Sequence, residues 1–194
     1  MVTFQIANSK SNLLAARHLC HDVYLNAGYI NHSYQSRVIP GQSNPNDVFI
    51  VAIAEDKTVV GTLKLSCIQP CKTFELWNGK LYSRYASLIA QARNSNSFEI
   101  GSLAVDKHFS SLKISWGLYN LAYRWAISNR KDFGIISMDQ RAFRALEMVG
   151  WYALQVGAAM DYFGSQTVPA IIPILEQPMS AVLKAQPWFQ YQSV

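Results

Sequence analysis

A chain of 194 residues has room for one domain with a sizeable core and little for a second. Half of it is hydrophobic and 15% is charged, against about 25% in an average soluble domain; no uncharged apolar run of about twenty residues argues for an integral membrane segment, and MVTFQIANSK does not read as a secretory signal. The net charge of +5 favours acidic partners, and no DNA- or RNA-binding motif accompanies it, so nucleic acid is not the expected one.

Thr3–Asn8 alternates weakly and predicts a short first strand. Ser9 or Ser11 can cap a helix whose Leu13, Leu14, Ala16, Leu19, Cys20 and Val23 share one face. Residues 26–46 are rich in Asn, Ser, Gly and Pro and read as a long connection, a feature usually tied to binding. Asp47–Ala54 and Thr58–Ser66 form a hairpin around Glu55-Asp56-Lys57. Residues 67–96 read as irregular, with an amphipathic, helix-compatible piece from Trp77 to Ala92. Phe98–Val105 predicts a near-continuous apolar strand, followed by a helix from about Ser111 to Asn129. A short buried strand at Phe133–Met138, a helix at Arg141–Val149 ended by Gly150, and strands at Trp151–Tyr162 and Val168–Leu175 complete the order. That order mixes antiparallel hairpins with one βαβ crossover, so a mixed α/β sheet with helices on both faces is expected. One domain would span 1–177, with 178–194 as a tail that packs on it or is disordered.

The basic residues concentrate in one stretch. Lys107, Lys113, Arg124, Arg130, Lys131, Arg141 and Arg144 stand against only Asp132 and Asp139. Such a stretch is either an ordinary solvated helix face or a docking surface for an acidic partner. Cys20, Cys67 and Cys71 are odd in number and spaced for neither a zinc ribbon nor a redox pair, which points to free thiols in a reducing cytoplasm. His18, His21, His32 and His108 make no metal pattern.

Val59-Val60-Gly61-Thr62-Leu63-Lys64-Leu65, Glu99-Ile100-Gly101-Ser102-Leu103-Ala104-Val105-Asp106 and the turn at Val149-Gly150-Trp151 resemble the third strand, fourth strand and late turn of the GNAT acyltransferases. Arg17-His18-Leu19-Cys20-His21-Asp22-Val23-Tyr24 is similar to the early helix of the long-chain N-acyl amino acid synthases and the acyl-homoserine-lactone synthases. The resemblance implies a GNAT-like acyl-CoA N-acyltransferase fold, no permanently bound cofactor, and an acyl donor carried on the phosphopantetheine of acyl carrier protein or on acyl-CoA. The loop that would cradle a pyrophosphate is here Ser110-Ser111-Leu112-Lys113-Ile114-Ser115. Lys113 and Ser115 stand where the family pattern has glycines, which weakens a pyrophosphate site but leaves room for a single phosphate. Leu146 stands where a general-acid tyrosine is common.

Amide formation from a thioester needs a base for the amine proton and a donor for the developing oxyanion. Strand alternation puts Glu99, Gly101, Leu103 and Val105 on one face. Glu99 is the ionisable group of this run, and burial there would suit it to be the base; the alternative is a strand-entrance glutamate paired with an arginine. Gly101 suggests a bulge or a close ligand approach, or a glycine kept for packing. By the resemblance, the pantetheine arm would pair with the backbone of Gly101, Leu103, Ala104 and Val105, and Ser110, Ser111 and Lys113 would hold its phosphate. Tyr24 and Tyr34 could line an acceptor site and Arg37 could grip an acceptor carboxylate, unless they are packing or loop-surface residues. Lys107, Lys113, Arg141 and Arg144 would dock an acidic acyl carrier protein. The expected activity is transfer of a medium- or long-chain fatty acyl group to the amine of an amino acid or similar small molecule, in the cytoplasm. The alternatives are a GNAT enzyme using short acyl-CoA, or a non-catalytic member that binds carrier protein or lipid.

Overall fold

Ser9 lies in extended backbone, and its hydroxyl accepts the N–H of Asn12 at 3.1 Å, capping helix α1 (Lys10–Asn26). Ser11, the other candidate cap, shares a hydrogen bond with the Ser9 hydroxyl instead. The computed structural model describes residues 2–41, 44–67, 71–109, 111–148 and 151–174. Ser110, Gly150 and the expected tail at 178–194 lie outside the described residues, as does the side chain of Ser111.

The described residues form two compact units, each assembled from segments distant in sequence. The first holds the chain up to Ser66 together with Gly101–Tyr123; the second holds Cys67–Ile100 and the chain from Arg124 on.

In the first unit, strands β1 (Val2–Ile6), β2 (Val48–Ala54) and β3 (Val59–Ser66) pair antiparallel in succession. The expected hairpin closes at Lys57, which takes a φ of 68°, while the Asp56 side chain accepts the Thr58 N–H at 3.0 Å. Phe49 and Val51 of β2 pack with Ala7, Ala16 and Val59 into a core that Leu13 and Leu19 of α1 cover. Helix α4 (Ser111–Ser128) lies so close to β3 that a Cβ on Gly61 would meet Ile114 at 2.3 Å.

In the second unit, the start of strand β4 (Phe98–Val105) pairs in parallel with β5 (Phe133–Asp139), from Phe98↔Gly134 to Ile100↔Ile136. β5 pairs antiparallel along its whole length with β8 (Ser165–Pro173), an edge that also receives β6 (Leu154–Gln155) and β7 (Met160–Tyr162). Ile135 and Ile171 face Cys71, Phe74, Ile89 and Ala92, so helices α2 (Lys72–Leu76) and α3 (Ala86–Asn94) cover one face of this sheet. Helix α5 (Gln140–Met148) starts where Asp139 accepts the N–H groups of Arg141 at 2.8 Å and Ala142 at 3.2 Å.

Three sequence expectations change here. Trp77–Ala92 is not one helix: α2 ends before it, Gly79 takes a φ of 79°, and helix resumes only through a 3-10 turn at Ser83–Tyr85. Trp151–Tyr162 is not one strand either. At its middle the chain leaves β8 for the Trp77–Leu81 turn, where Ala158 N–H donates to Lys80 O at 3.0 Å and Trp77 Nε1 donates to Ala158 O at 2.9 Å. Those local partners satisfy the backbone, so β6 and β7 stay short. The last strand begins earlier than expected, at Ser165 rather than Val168.

Candidate active site

Glu99 enters its surroundings from β4 between the buried residues Phe98 and Ile100. Thr73, near the start of α2, has a backbone N–H without an intrahelical partner, and that N–H donates to Glu99 Oε1 at 2.8 Å. The Thr73 hydroxyl donates to the same oxygen. Ser137 Oγ lies 2.8 Å from Thr73 Oγ1. With the threonine proton committed to Glu99, Ser137 is the donor of that bond, giving a chain Ser137 to Thr73 to Glu99. The Cys71 side chain also hydrogen-bonds the Glu99 carboxylate.

Two further groups feel this carboxylate. Burial, and then the Glu99 charge, push the Cys71 thiol up to about 12, so it stays protonated and is not a nucleophile at neutral pH. Burial and the same charge hold the Tyr162 phenol above its ordinary range, so it too keeps its proton. Chemically, the cluster is a carboxylate with Oε1 fixed by Thr73, beside a thiol and a phenol that stay neutral.

Within β4, the residue after Gly101 departs from regular strand geometry. Ser102 takes a φ of 53°, an uncommon conformation for a residue with a side chain, and a Cβ on Gly101 would meet no atom within 4 Å. Gly101 therefore fills no packing role here. Ser102 is re-aimed from the alternation expected in the sequence and hydrogen-bonds Tyr24, whose phenol is held above its ordinary range by burial and then by Cys20 and its tyrosine neighbours. Leu103 and Val105 are half-buried, and Ala104 is buried.

The other expected acceptor residues are engaged within the first unit. Tyr34 lies edge-on to His21 and His32, and its N–H donates to His21 Nε2 at 3.1 Å. The Arg37 guanidinium is taken by Asp22, through Nε at 3.2 Å and through Nη2, so its fork grips a carboxylate of its own chain rather than standing open for an acceptor. Lys107 and Lys113 are exposed in the first unit, and Arg141 and Arg144 in the second. Among the described residues no group of His, Cys, Asp and Glu could hold a metal ion, and no helix is long and apolar enough to cross a membrane.

Sequence reasoning missed Thr73, Ser137 and Tyr162. Ser137 had a signal, as the polar residue in the apolar run Phe133–Met138. Thr73 had none, because it lies in a stretch without clear periodicity.

The profile of the family described as N-acyl amino acid synthase FeeM matches residues 15–171. The chain belongs to this family. It is therefore an N-acyltransferase. No curated protein sequence matches the chain. Its fold is similar to that of FeeM, an N-acyl amino acid synthase from uncultured soil microbes, with 16% identity, 96% of this chain and 97% of that chain covered, and a TM-score of 0.71. It is also similar to the AHL synthase LasI (12% identity, 95% of each chain covered, TM-score 0.74). A third similar structure is BjaI, a CoA-dependent acyl-homoserine lactone synthase with SAM and isopentyl-CoA (13% identity, 95% and 89% covered, TM-score 0.74). As a member of the N-acyl amino acid synthase family, the chain has the expected GNAT-like, mixed α/β acyltransferase fold.

Proposed function

We propose that this N-acyltransferase moves a medium- or long-chain fatty acyl group from the phosphopantetheine of an acidic acyl carrier protein to the amine of an amino acid or similar small molecule. The observation that carries the reading is the Glu99 carboxylate, whose Oε1 is anchored by the Thr73 N–H and hydroxyl. The acceptor nitrogen attacks the thioester carbon, its proton passes to Oε2, the C–S bond breaks, and the departing thiolate takes up that proton to leave as the thiol. The open space beside Gly101 and the end of the β5 ladder at Ile100 support approach of the pantetheine arm along Gly101, Leu103, Ala104 and Val105. Ser110, Ser111 and Lys113 are the phosphate ligands of this reading. The exposed Lys107, Lys113, Arg141 and Arg144 support attraction of an acidic carrier, with acyl-CoA as the competing donor. Tyr24 and Tyr34 remain acceptor candidates; Arg37 would first have to release Asp22.

The test is mass spectrometry of organic extracts from bacteria expressing the protein, beside an empty vector and a Glu99→Gln strain. A new series of N-acyl amino acids, lost in Glu99→Gln, is expected. The same series in both strains removes Glu99 as base. Purified enzyme that turns over acyl-CoA but not acyl carrier protein assigns the other donor.

A further inference from the structure

A carboxylate turns readily about its last torsion, which is broad and two-fold, so the two oxygens of an untethered glutamate exchange places. A base that must take a proton at one point in space is better served when that rotation is stopped. In this site it is stopped by placing two donors, the Thr73 N–H and the Thr73 hydroxyl, on one oxygen. The N–H restrains Oε1 from one direction only. The hydroxyl adds a second direction, occupying Oε1 from another side.

The hydroxyl is itself held. Thr73 is 1% exposed, so water has no access to replace it. Its β-branched side chain has a stiff χ1, and Ser137 lies within hydrogen-bond distance on the far side of the hydroxyl. Ser137 follows directly on Ile136, the last β5 residue paired with β4, so the strand that ends the ladder also supplies the group that orients Thr73.

We infer that Thr73 is a positioning residue of the acyl transfer, its hydroxyl, held by Ser137, fixing Glu99 Oε1 so that Oε2 receives the amine proton. This rests on the reading of Glu99 as the base.

The test uses the purified enzyme with dodecanoyl-acyl carrier protein and a mixture of amino acids, product being counted by mass spectrometry over a range of donor concentrations. Thr73→Val keeps the shape and the backbone N–H but removes the hydroxyl. It is expected to lower kcat on the order of 10-fold with the donor KM little changed, the signature of a lost transition-state interaction. Thr73→Ser, which keeps the hydroxyl, should restore most of the lost kcat. Ser137→Ala should lower kcat in the same way by less.

A Thr73→Val enzyme with the wild-type kcat overturns the inference. So does a loss that Thr73→Ser shares, or one in which KM rises and kcat does not fall. If Thr73→Val does not fold by circular dichroism, an unchanged kcat in Ser137→Ala overturns it instead. Turnover retained in Glu99→Gln, or no product from the wild type, strikes the proposed function itself and takes this inference with it; a dead Glu99→Gln beside an unaltered Thr73→Val strikes the inference alone.

Discussion

Arg37 spans both oxygens of Asp22, with Nε at 3.2 Å from Oδ1 and Nη2 on Oδ2. His21 Nδ1 donates to the same Oδ1 at 2.9 Å, while His21 Nε2 accepts the Tyr34 N–H, so the early loop is tied to the end of α1. The Arg37 hydrogen bond holds the Asp22 carboxyl below the usual carboxylate range. A depressed carboxyl stabilises the fold above its unfolded value and ceases to do so as pH falls through its folded value. Arg37→Ala should therefore lower the urea midpoint at neutral pH, and the gap to wild type should close below the ordinary aspartate range, under about pH 4. A gap that persists unchanged in acid would assign the loss to packing instead. Faster proteolysis within the loop from Gly28 to Gly41 is the accompanying expectation.

Lys64 Nζ lies 3.5 Å from Asp47 Oδ2, with the lysine side chain 17% exposed and that of the aspartate 1%. Neither Asp47 oxygen has a hydrogen-bond partner among the described residues, so the lysine is the compensation available for this buried charge. Lys64→Met should cost about 3 kcal/mol in chemical denaturation, because it strands the carboxylate. Lys64→Met combined with Asp47→Leu should recover much of that loss. Strictly additive losses would mean the two charges do not compensate each other.

The three cysteines should divide sharply in reactivity. Cys67 is exposed, whereas Cys20 and Cys71 are buried, and burial with the Glu99 charge keeps the Cys71 thiol protonated. An aromatic disulfide reagent on the native protein should titrate Cys67 rapidly and the other two only in denaturant. Cys67→Ser should abolish the rapid phase. A second rapid thiol that disappears in Cys71→Ser would show that Cys71 is accessible and would reopen a covalent route for the acyl group.

Glu99→Gln should abolish the N-acyl amino acid series in organic extracts of expressing bacteria while the protein stays folded, as checked by mass spectrometry and circular dichroism.

Much of the fold was legible because hydrophobic periodicity reports burial locally. Phe98–Val105 emerges as a strand with the bounds expected of it, and the hairpin around Glu55-Asp56-Lys57 closes where its turn residues sit. Periodicity failed where the chain changed partners. The pattern from Trp77 to Ala92 suits one helix, yet Gly79 turns out of it and Trp77 bonds to Ala158, a contact across 81 positions. The strand expected over Trp151–Tyr162 broke at the same contact.

The candidate site divides in the same way. The sequence by itself marked Glu99, because a lone ionisable residue in an apolar strand stands out from its neighbours, and it marked Gly101 as a place where the strand departs from rule. It also pointed to the acyltransferase class, since strand, turn and helix motifs are local and survive in order. Only the tertiary structure decided which groups meet the Glu99 carboxylate. Thr73 comes from 26 positions earlier and Ser137 from 64 positions after Thr73. It likewise committed Arg37 to Asp22. Hydrogen bonds act over about 3 Å and require aligned partners, so they are properties of packed elements, whereas burial patterns are written along each element separately.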